Sequence, residues 1–287
     1  MSIRSPKSGL AAVAVLLSAC APTINLLNPT SPRFEGEYAL TAPSPAPAGS
    51  RIKVVSFNIK LADHIDQAIE VLGQDPLRGA DVISLQEMDD TGVERIARAL
   101  QLNYIFYPGA IHPTRHRYFG PAILTRWPIT ETSKLLLPHE GWGRHQRRNA
   151  TAATIQVRGS CLRVYAVHLE TQLKATDKDR EDQANVLLAD AAATSCPVVI
   201  AGDFNSKGIG RYFEEKGFAW PTEHVGSTIT WFSWDHIFTR GLGVPDSASA
   251  GKVREIHGAS DHRPIWASLI LRAPHVVSAS GSRAELP

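Results

Sequence analysis

Short apolar runs alternate with amphipathic stretches along residues 51–272, and this pattern predicts a mixture of strands and helices. Apolar or alternating runs bounded by turn residues are typical of strands. The predicted strands are Arg51 to Phe57, Asp81 to Glu87, "YIFYP" near Tyr104, "GPAILTRWPI" ending at Ile129, "ATAATIQVR" from Ala150, "CLRVYAVHLET" from Cys161, "PVVIAGDFNS", "WDHIFTR" and "RPIWASLILR".

Three stretches have apolar residues at helical spacing. The stripes are Ile65, Ala68, Ile69 and Leu72; Val93, Ile96, Ala97 and Leu100; and Ala184, Leu187, Leu188 and Ala191 within a helix from about Asp177 to Ala193. Thr91 and Glu94 have the spacing of a capping box for the second helix. Strands outnumber helices, and their connections mix short gaps with helical crossovers. We therefore expect an α+β layered sandwich rather than a doubly wound sheet.

The N-terminal segment reads as an export signal followed by a tether. Arg4 and Lys7 precede an apolar run from Leu10 to Cys20, which is too short for a membrane span and fits a secretory signal. The Pro- and Ser-rich residues 21–50 predict an extended tether that holds the domain off the bilayer, and residues 273–287 predict a frayed tail. The expected folded domain is therefore residues 51–272.

The end of the signal, Leu17 to Cys20, resembles the lipobox of bacterial lipoproteins, in which the Cys is acylated and becomes the new N-terminus. Several acyl chains would anchor the protein to a membrane. Ala21, instead of an aspartate, resembles the pattern of outer-membrane lipoproteins. We expect a monomer on the periplasmic side of the outer membrane or at the cell surface.

Charge and cysteine content limit the classes of function. Loss of residues 1–19 leaves 28 basic and 28 acidic residues, so no global charge directs the chain to nucleic acid. Basic clusters around Arg115 to Arg117 and Arg144 to Arg148 are either solvated loops or contacts for an anionic substrate. The remaining cysteines lack zinc-site spacing. Cys161 and Cys196 each stand seven residues before a polar strand end, which predicts a disulfide if those strands are parallel neighbours; buried free thiols are the alternative.

Polar side chains stand at or near the ends of most predicted strands. They are Asn58, Glu87, His168, Asp203, Asn205, Asp235, His236, Asp261 and His262. Packing the strands in one core brings these ends to one rim, where the carboxylates repel one another unless a cation lies among them. Oxygen ligands favour Mg²⁺, with Mn²⁺ and Ca²⁺ as alternatives. This combination predicts attack of water on a phosphate ester.

Asp203 and Asn205 raise a local question. An extended chain would point both side chains to the same face. A turn in which Asp and Asn bond their own backbone is the alternative.

In order along the chain, "SFNI", "SLQEMD", "FGPAILTRWPI", "VHLET", "AGDFNS", "WDHIF" and "SDHRPI" resemble the motif set of the endonuclease/exonuclease/phosphatase superfamily, which has a deoxyribonuclease-I-like fold. The resemblance spans residues 51–272. It implies a four-layered α/β/β/α sandwich, with two mixed β-sheets packed face to face and helices outside. It also implies metal-dependent hydrolysis of phosphodiesters or phosphomonoesters.

The resemblance also assigns roles to the strand-end residues. Glu87 would be the principal metal ligand, with Asn58 and Asp261 beside it. Asp203 would orient and deprotonate the attacking water and be held in place by Asn205. Asp235 would fix the tautomer of His262, whose other nitrogen faces a phosphate oxygen, and His168 would stabilise charge in the transition state.

Three further residues are candidates at the substrate groove. Arg148 occupies the place where relatives present a phosphate-facing arginine, with Arg147 as a rival and a surface ion pair as the alternative. Tyr118 either lines the groove or belongs to a loop. Trp142 is a binding-loop aromatic or, the favoured interpretation, a packing residue. His236 should point away from the site.

The favoured function is a nuclease-like, Mg²⁺-dependent phosphodiesterase whose partner is a phosphate ester, with nucleic acid a candidate. The alternative is a phosphatase or phospholipase-C-like hydrolase of a lipid headgroup, inositol phosphate or sugar phosphate. A lipoprotein that keeps the fold as a binding module would lack the base or a ligand; Asp203, Glu87, Asp261 and His262 are all present.

Overall fold

The computed structural model describes residues 23–40, 49–157, 159–246 and 249–271. The predicted signal peptide, Cys20 and the tail from residue 273 lie outside these ranges. Within them, no helix is long and apolar enough to cross a bilayer.

Strands and helices follow one another in an order close to the prediction. The strands are β1 (Ile24–Asn25), β2 (Phe34–Gly36), β3 (Arg51–Asn58), β4 (Val82–Met88), β5 (Asn103–Phe106), β6 (Ala110–Ile111), β7 (Tyr118–Thr125), β8 (Ile129–Glu140), β9 (Arg147–Val157), β10 (Ser160–His168), β11 (Val198–Asp203), β12 (Asp235–Arg240), β13 (Ala250–Lys252) and β14 (Ile265–Ile270). The helices are α1 (Ile65–Leu72), α2 (Asp90–Leu100), α3 (Asp177–Ala192) and α4 (Ile209–Glu215).

Two mixed sheets contain these strands. In the described chain the first sheet has nine strands in the order β1-β6-β7-β4-β3-β14-β13, and β5 pairs with both β7 and β2. The second has five in the order β12-β11-β10-β9-β8. β3 and β4 are parallel neighbours, as are β10 and β11, and the other pairs are antiparallel.

Three apolar clusters show how the layers pack. The central cluster joins residues of both sheets, such as Val54 and Ile123 of the first and Val164 and Ile237 of the second. A second cluster lies between the first sheet and helices α1 and α2, and a third between the second sheet and α3 and α4. The predicted four-layered sandwich is therefore confirmed. Strands buried on both faces explain runs such as "VVIAG", which lack polar alternation.

The predicted tether is wrong for residues 23–40, because this segment packs onto the domain. β1 pairs with β6, and β2 pairs with β5. The Tyr38 hydroxyl donates to Glu94 Oε1 over 2.8 Å, and the buried Lys134 ammonium donates to the Leu26 carbonyl over 2.6 Å. Strand pairing uses the backbone, so a Pro- and Ser-rich composition did not reveal it.

The predicted capping box of α2 is also wrong, although the helix is present. The helix begins at Asp90, and Asp89 is the N-cap, with its carboxylate accepting from the Gly92 N–H over 2.6 Å. Glu94 instead pairs with Arg98 one turn later. The sequence prediction also missed β8 and α4, because β8 alternates only loosely and α4 has only seven residues.

The predicted disulfide is present. In the parallel pair β10 and β11, Arg163 lies opposite Val198 and His168 opposite Asp203. This register brings Cys161 level with Cys196, and the structure bonds their sulfur atoms with the Cα atoms 5.4 Å apart. The two strands are parallel neighbours, which is the condition on which the disulfide was predicted.

Candidate active site

Three neighbouring strands of the second sheet place polar residues in one row at the same edge, where β10 and β11 end and β12 begins. His168 of β10 lies opposite Asp203 of β11, and Asp203 lies opposite Asp235 of β12. All three side chains are at least nine-tenths buried. Gly202 is required beside this row, because a Cβ there would lie 2.0 Å from the Val167 carbonyl oxygen.

Asp203 Oδ2 lies close to side chains from both sheets. The Asn58 Nδ2 from the end of β3 donates to it over 3.0 Å. His168 Nε2 lies 3.6 Å away, and His262 Nε2 lies 3.7 Å away. One carboxylate oxygen therefore faces three nitrogen atoms that come from separate parts of the chain.

Glu87 lies beside this group on a distorted part of β4. Its φ is 60°, and the pairing of β4 with β7 shifts between Leu85 and Met88, which is the signature of a bulge. Glu87 Oε1 is 3.4 Å from Asn58 Nδ2, and Oε2 accepts from the Leu61 N–H over 2.9 Å. Backbone strain of this kind is common where a side chain is aimed at a functional site.

The turn that holds Glu87 is itself strained. Lys60, Leu61 and Ala62 have φ values of 32°, 57° and 52°, in the left-handed region that side chains disfavour. The Lys60 N–H donates to Asn58 Oδ1 over 3.0 Å, while the next N–H reaches Glu87. Two successive backbone donors thus orient the amide and the carboxylate.

Asp235 and His262 form the predicted pair. His262 Nδ1 lies 2.9 Å from Asp235 Oδ2. Burial alone would lower the pKa of His262, but the charges of Asp235 and Asp203 raise it to about 10. Burial raises the pKa of Asp203 to about 7 against the opposing charge of His262. The two acids therefore favour the protonated, imidazolium form of His262 in the metal-free protein.

Arg148 does not fit the predicted role of a phosphate-facing arginine, nor that of a surface ion pair. Its side chain is buried, and its Nε and Nη2 donate to the two oxygens of Glu170 over 3.2 and 3.1 Å. Its Nη1 lies 3.2 Å from His168 Nδ1. Its rival Arg147 donates to the Leu137 carbonyl instead.

The Arg148 contact decides the tautomer of His168. Burial lowers the pKa of His168 well below its usual value, and the Arg148 charge adds to this, so the ring is neutral. A guanidinium only donates, so His168 Nδ1 must accept and the ring proton lies on Nε2. That N–H is on the nitrogen that faces Asp203 Oδ2. Sequence reasoning missed Glu170, whose signal was an acid two residues after the histidine.

Asn205 holds Asp203 through its backbone. The strand ends at Asp203, and Asn205 has a φ of 51°, so the alternation of an extended chain does not extend to it. Its N–H donates to Asp203 Oδ1 over 2.9 Å, and its Nδ2 donates to the Leu169 carbonyl over 3.1 Å. The turn that the sequence left open as the alternative is therefore the one that forms.

The comparisons with known proteins agree with this geometry. The model of the Endonuclease/Exonuclease/phosphatase family matches residues 55–262, which is most of the chain. The chain belongs to this family. No curated protein sequence matches it significantly.

Solved structures of other proteins share the fold at low identity. An endonuclease/exonuclease/phosphatase from Beutenbergia cavernae has 20% identity and a TM-score of 0.61, covering 78% of this chain and 72% of that one. TDP2 of D. rerio, complexed with a single-strand DNA product, has 19% identity and a TM-score of 0.61, covering 77% and 99%. A mannosyl-6-phosphatase of Bacteroides thetaiotaomicron has 16% identity and a TM-score of 0.58, covering 76% and 99%.

As a member of this family, the chain is a hydrolase of phosphate esters, and the family depends on a divalent metal. Asp203, Asp235 and His262 each offer a ligand atom within 4.8 Å of the others. A protonated His262 is a poor ligand, but Asp235 Oδ1 is buried and has no hydrogen-bond partner in the described chain. Together with Glu87, these carboxylate oxygens fit a hard cation.

Other predicted site residues lie at the periphery. Asp261 is exposed and pairs with Lys60 over 3.2 Å, outside the buried group. Tyr118 packs on Phe34, with ring centroids 5.1 Å apart, whereas its neighbour Phe119 lies 6.1 Å from the His168 ring. His236 is buried away from the row, as predicted, with Nε2 3.0 Å from the Ser206 carbonyl.

The favoured packing interpretation of Trp142 is wrong, because 61% of this residue is exposed.

Proposed function

We propose that the chain is a Mg²⁺-dependent hydrolase of phosphodiesters, held on the periplasmic side of the outer membrane, with Asp203 as its general base. The observation that carries this proposal is the surroundings of Asp203 Oδ2, with Asn58, His168 and His262 nitrogens at 3.0, 3.6 and 3.7 Å. A base near neutral pKa is suited to removing a proton from water at pH 7.

Each residue would act at a stated atom. Asp203 Oδ2 takes a proton from the attacking water, while the Asn205 N–H holds the other carboxylate oxygen. The Nε2–H groups of His168 and His262 donate to phosphate oxygens as negative charge grows in the transition state. Glu87, with Asn58 beside it, would hold the ion, which would supply positive charge against the phosphate; Asp261 lies outside this buried group.

The fold relatives widen the range of substrates. TDP2 was solved with a single-strand DNA product, and another structure with this fold is a mannosyl-6-phosphatase, so DNA and sugar phosphates are both candidates for this chain. The non-catalytic alternative gains no support, because the base, its neighbours and Glu87 occupy one site.

The test is hydrolysis of bis(4-nitrophenyl) phosphate by the full chain, with EDTA and with Mg²⁺, Mn²⁺ or Ca²⁺ added back. We expect EDTA to abolish turnover and Mg²⁺ to restore it. Asp203→Asn should lower kcat by about 10²- to 10⁴-fold. The matched control is Asp190→Asn, because Asp190 bonds Arg163 near the opposite end of the second sheet. Turnover that is unchanged both by EDTA and by Asp203→Asn would refute the proposal.

A further inference from the structure

The packing of residues 23–40 determines where a lipid anchor would lie. The Thr23 N–H donates to the Arg144 carbonyl over 2.9 Å. Asn25 donates to the His145 carbonyl over 2.7 Å and accepts from the Arg147 N–H over 2.8 Å. Only residues 21 and 22 separate Cys20 from Thr23, so the chain between them spans at most about 10 Å. An acylated Cys20 would therefore enter a bilayer close to the loop of residues 141–146.

This loop borders the active site. A Cβ on Gly141 would lie 2.6 Å from Glu170 Oε2, and Glu170 holds the arginine that contacts His168. The Trp142 N–H donates to the Lys174 carbonyl over 3.0 Å, which joins the loop to the turn after β10. The anchor point and the His168 side of the site thus share one edge of the protein, which we call the anchor edge.

Apolar side chains on the anchor edge face solvent. Leu173 is 90% exposed and Trp142 61%, and Ile24 and Leu27 beside the anchor are also exposed. Single exposed apolar residues are ordinary, but several beside an anchor resemble the Trp- and Leu-rich faces that enter membrane interfaces. Arg144 and Lys174 lie among them and would attract an anionic lipid surface.

A second apolar rim lies on the His262 side of the site. Trp231 is 86% exposed, and Phe232 is exposed beside it. Their loop ends at Asp235, the partner of His262, and Ile229 at its start forms a bridge with His262. Exposed aromatic and aliphatic side chains therefore lie on the His262 side of the site as well as at the anchor edge, and such side chains are typical of surfaces that enter a membrane interface.

From these features we infer that the anchor edge and the Trp231 rim rest on the bilayer, and that the substrate is the phosphodiester of a glycerophospholipid headgroup in that same membrane. The inference rests on the proposed hydrolysis and on acylation of Cys20. In the reaction the water oxygen forms a bond to phosphorus, and one of the two P–O ester bonds of the phosphodiester breaks. The oxygen of the leaving group takes a proton. The products are an alcohol and a phosphomonoester, one of which keeps the acyl chains.

The experiment uses the full lipidated chain in vesicles of equal parts phosphatidylethanolamine and phosphatidylglycerol, with release of diacylglycerol or phosphatidic acid as the measure. The double variant Trp142→Ser, Leu173→Ser should lower lipid turnover at least about tenfold, because two apolar contacts with the bilayer are lost. Its turnover of bis(4-nitrophenyl) phosphate, which needs no membrane, should equal that of the unchanged protein.

The matched control is Leu40→Ser. Leu40 is 75% exposed and follows Ala39, which bonds Asn103 at the end of the first sheet farthest from Glu87. This variant should hydrolyse lipid normally. A second measurement is fluorescence quenching by lipids with brominated acyl chains, which should decrease in Trp142→Phe because Trp142 no longer reports from the bilayer.

The outcomes separate the two proposals. Intact vesicles alongside rapid hydrolysis of single-stranded DNA, or a double variant as active on vesicles as the unchanged protein, would overturn the membrane inference and leave the proposed hydrolysis standing. An unacylated Cys20 in the mass spectrum would overturn it too. Loss of EDTA-sensitive turnover of bis(4-nitrophenyl) phosphate would instead overturn the proposed function.

Discussion

Replacing Asp235 with Asn tests how the site uses its buried charges. His262 Nδ1 lies 2.9 Å from Asp235 Oδ2, and His262 Nε2 lies 3.7 Å from Asp203 Oδ2. These two acids raise the pKa of His262 from 6.5 to about 10. A rise of about 3.5 units corresponds to about 5 kcal/mol in favour of the imidazolium. Burial opposes the rise, so Asp235 and Asp203, with a smaller contribution from Asp261, together favour the imidazolium by more than this figure.

Asp235 is the nearer acid and lies within hydrogen-bond distance of His262 Nδ1, so its share is at least about half, or about 2 to 3 kcal/mol. Asp235→Asn should therefore lower the pKa of His262 by about 2 units or more. Because the folded pKa of His262 is raised, its stabilising contribution is complete below pH 6.5 and is lost as the pH rises through about 10. The variant should thus be less stable by about 2 to 3 kcal/mol at pH 6, with little difference above pH 10.

Activity should decrease as well, since an amide at residue 235 can present its N–H to Nδ1 and favour the wrong tautomer. We expect kcat to decrease by about 10²- to 10⁴-fold. The assays are NMR titration of His262 in the metal-free protein, urea denaturation at both pH values, and steady-state kinetics with bis(4-nitrophenyl) phosphate.

Asp190→Asn serves as the control, because it removes a hydrogen-bonded acid of helix α3 that accepts from Arg163 and Tyr165 of β10. It should lower stability without changing the pKa of His262 or kcat. The reasoning is refuted if Asp235→Asn leaves the pKa of His262 within about half a unit of its original value or kcat within about threefold.

Three further predictions concern other contacts. Glu170→Gln should lower the free energy of unfolding by about 3 kcal/mol, as measured by urea denaturation, because it leaves the buried Arg148 charge unpaired. In steady-state kinetics, the same variant should lower kcat more than it changes KM. Burial lowers the pKa of Lys134 to about 8, so stability should rise by about 3 kcal/mol between pH 8 and 10.5, and Lys134→Met should lack this rise in urea denaturation. Replacing both Cys161 and Cys196 with Ser removes a cross-link between residues 35 apart and should lower the free energy of unfolding by about 4 kcal/mol. Denaturation of the unchanged protein in the presence of reductant should give the same decrease.

The strained turn at Lys60 to Ala62 and the bulge at Glu87 have the same effect on the site. Both place backbone or side-chain groups at Asn58 and Glu87, where a regular strand end would point them elsewhere. Strain of about 1 kcal/mol or more per residue persists only where surrounding contacts impose it. Here those contacts include Arg117, which donates to the Leu61 carbonyl and pairs with Asp89 and Asp63.

The sequence by itself determined the main elements and the family, because apolar runs mark most of the core strands and the family motifs include polar residues beside them, such as Asn58, His168 and Asp203. It also determined the disulfide, since parallel strands keep the same spacing to Cys161 and Cys196 as to the ends of the strands. Periodicity and spacing are local properties, so they can be read from a single chain.

Only the tertiary structure decided the features that depend on distant partners. The segment around Phe34 is a strand because its backbone pairs with β5. Asp89 caps the helix, instead of Thr91, because β4 ends directly before it and places it at the start of the helix. The Arg148 side chain is buried because Glu170 and His168 provide hydrogen-bond acceptors for it in the interior. A short, proline-rich or charged stretch has no strong local preference, so the energy of its long-range contacts decides where it packs.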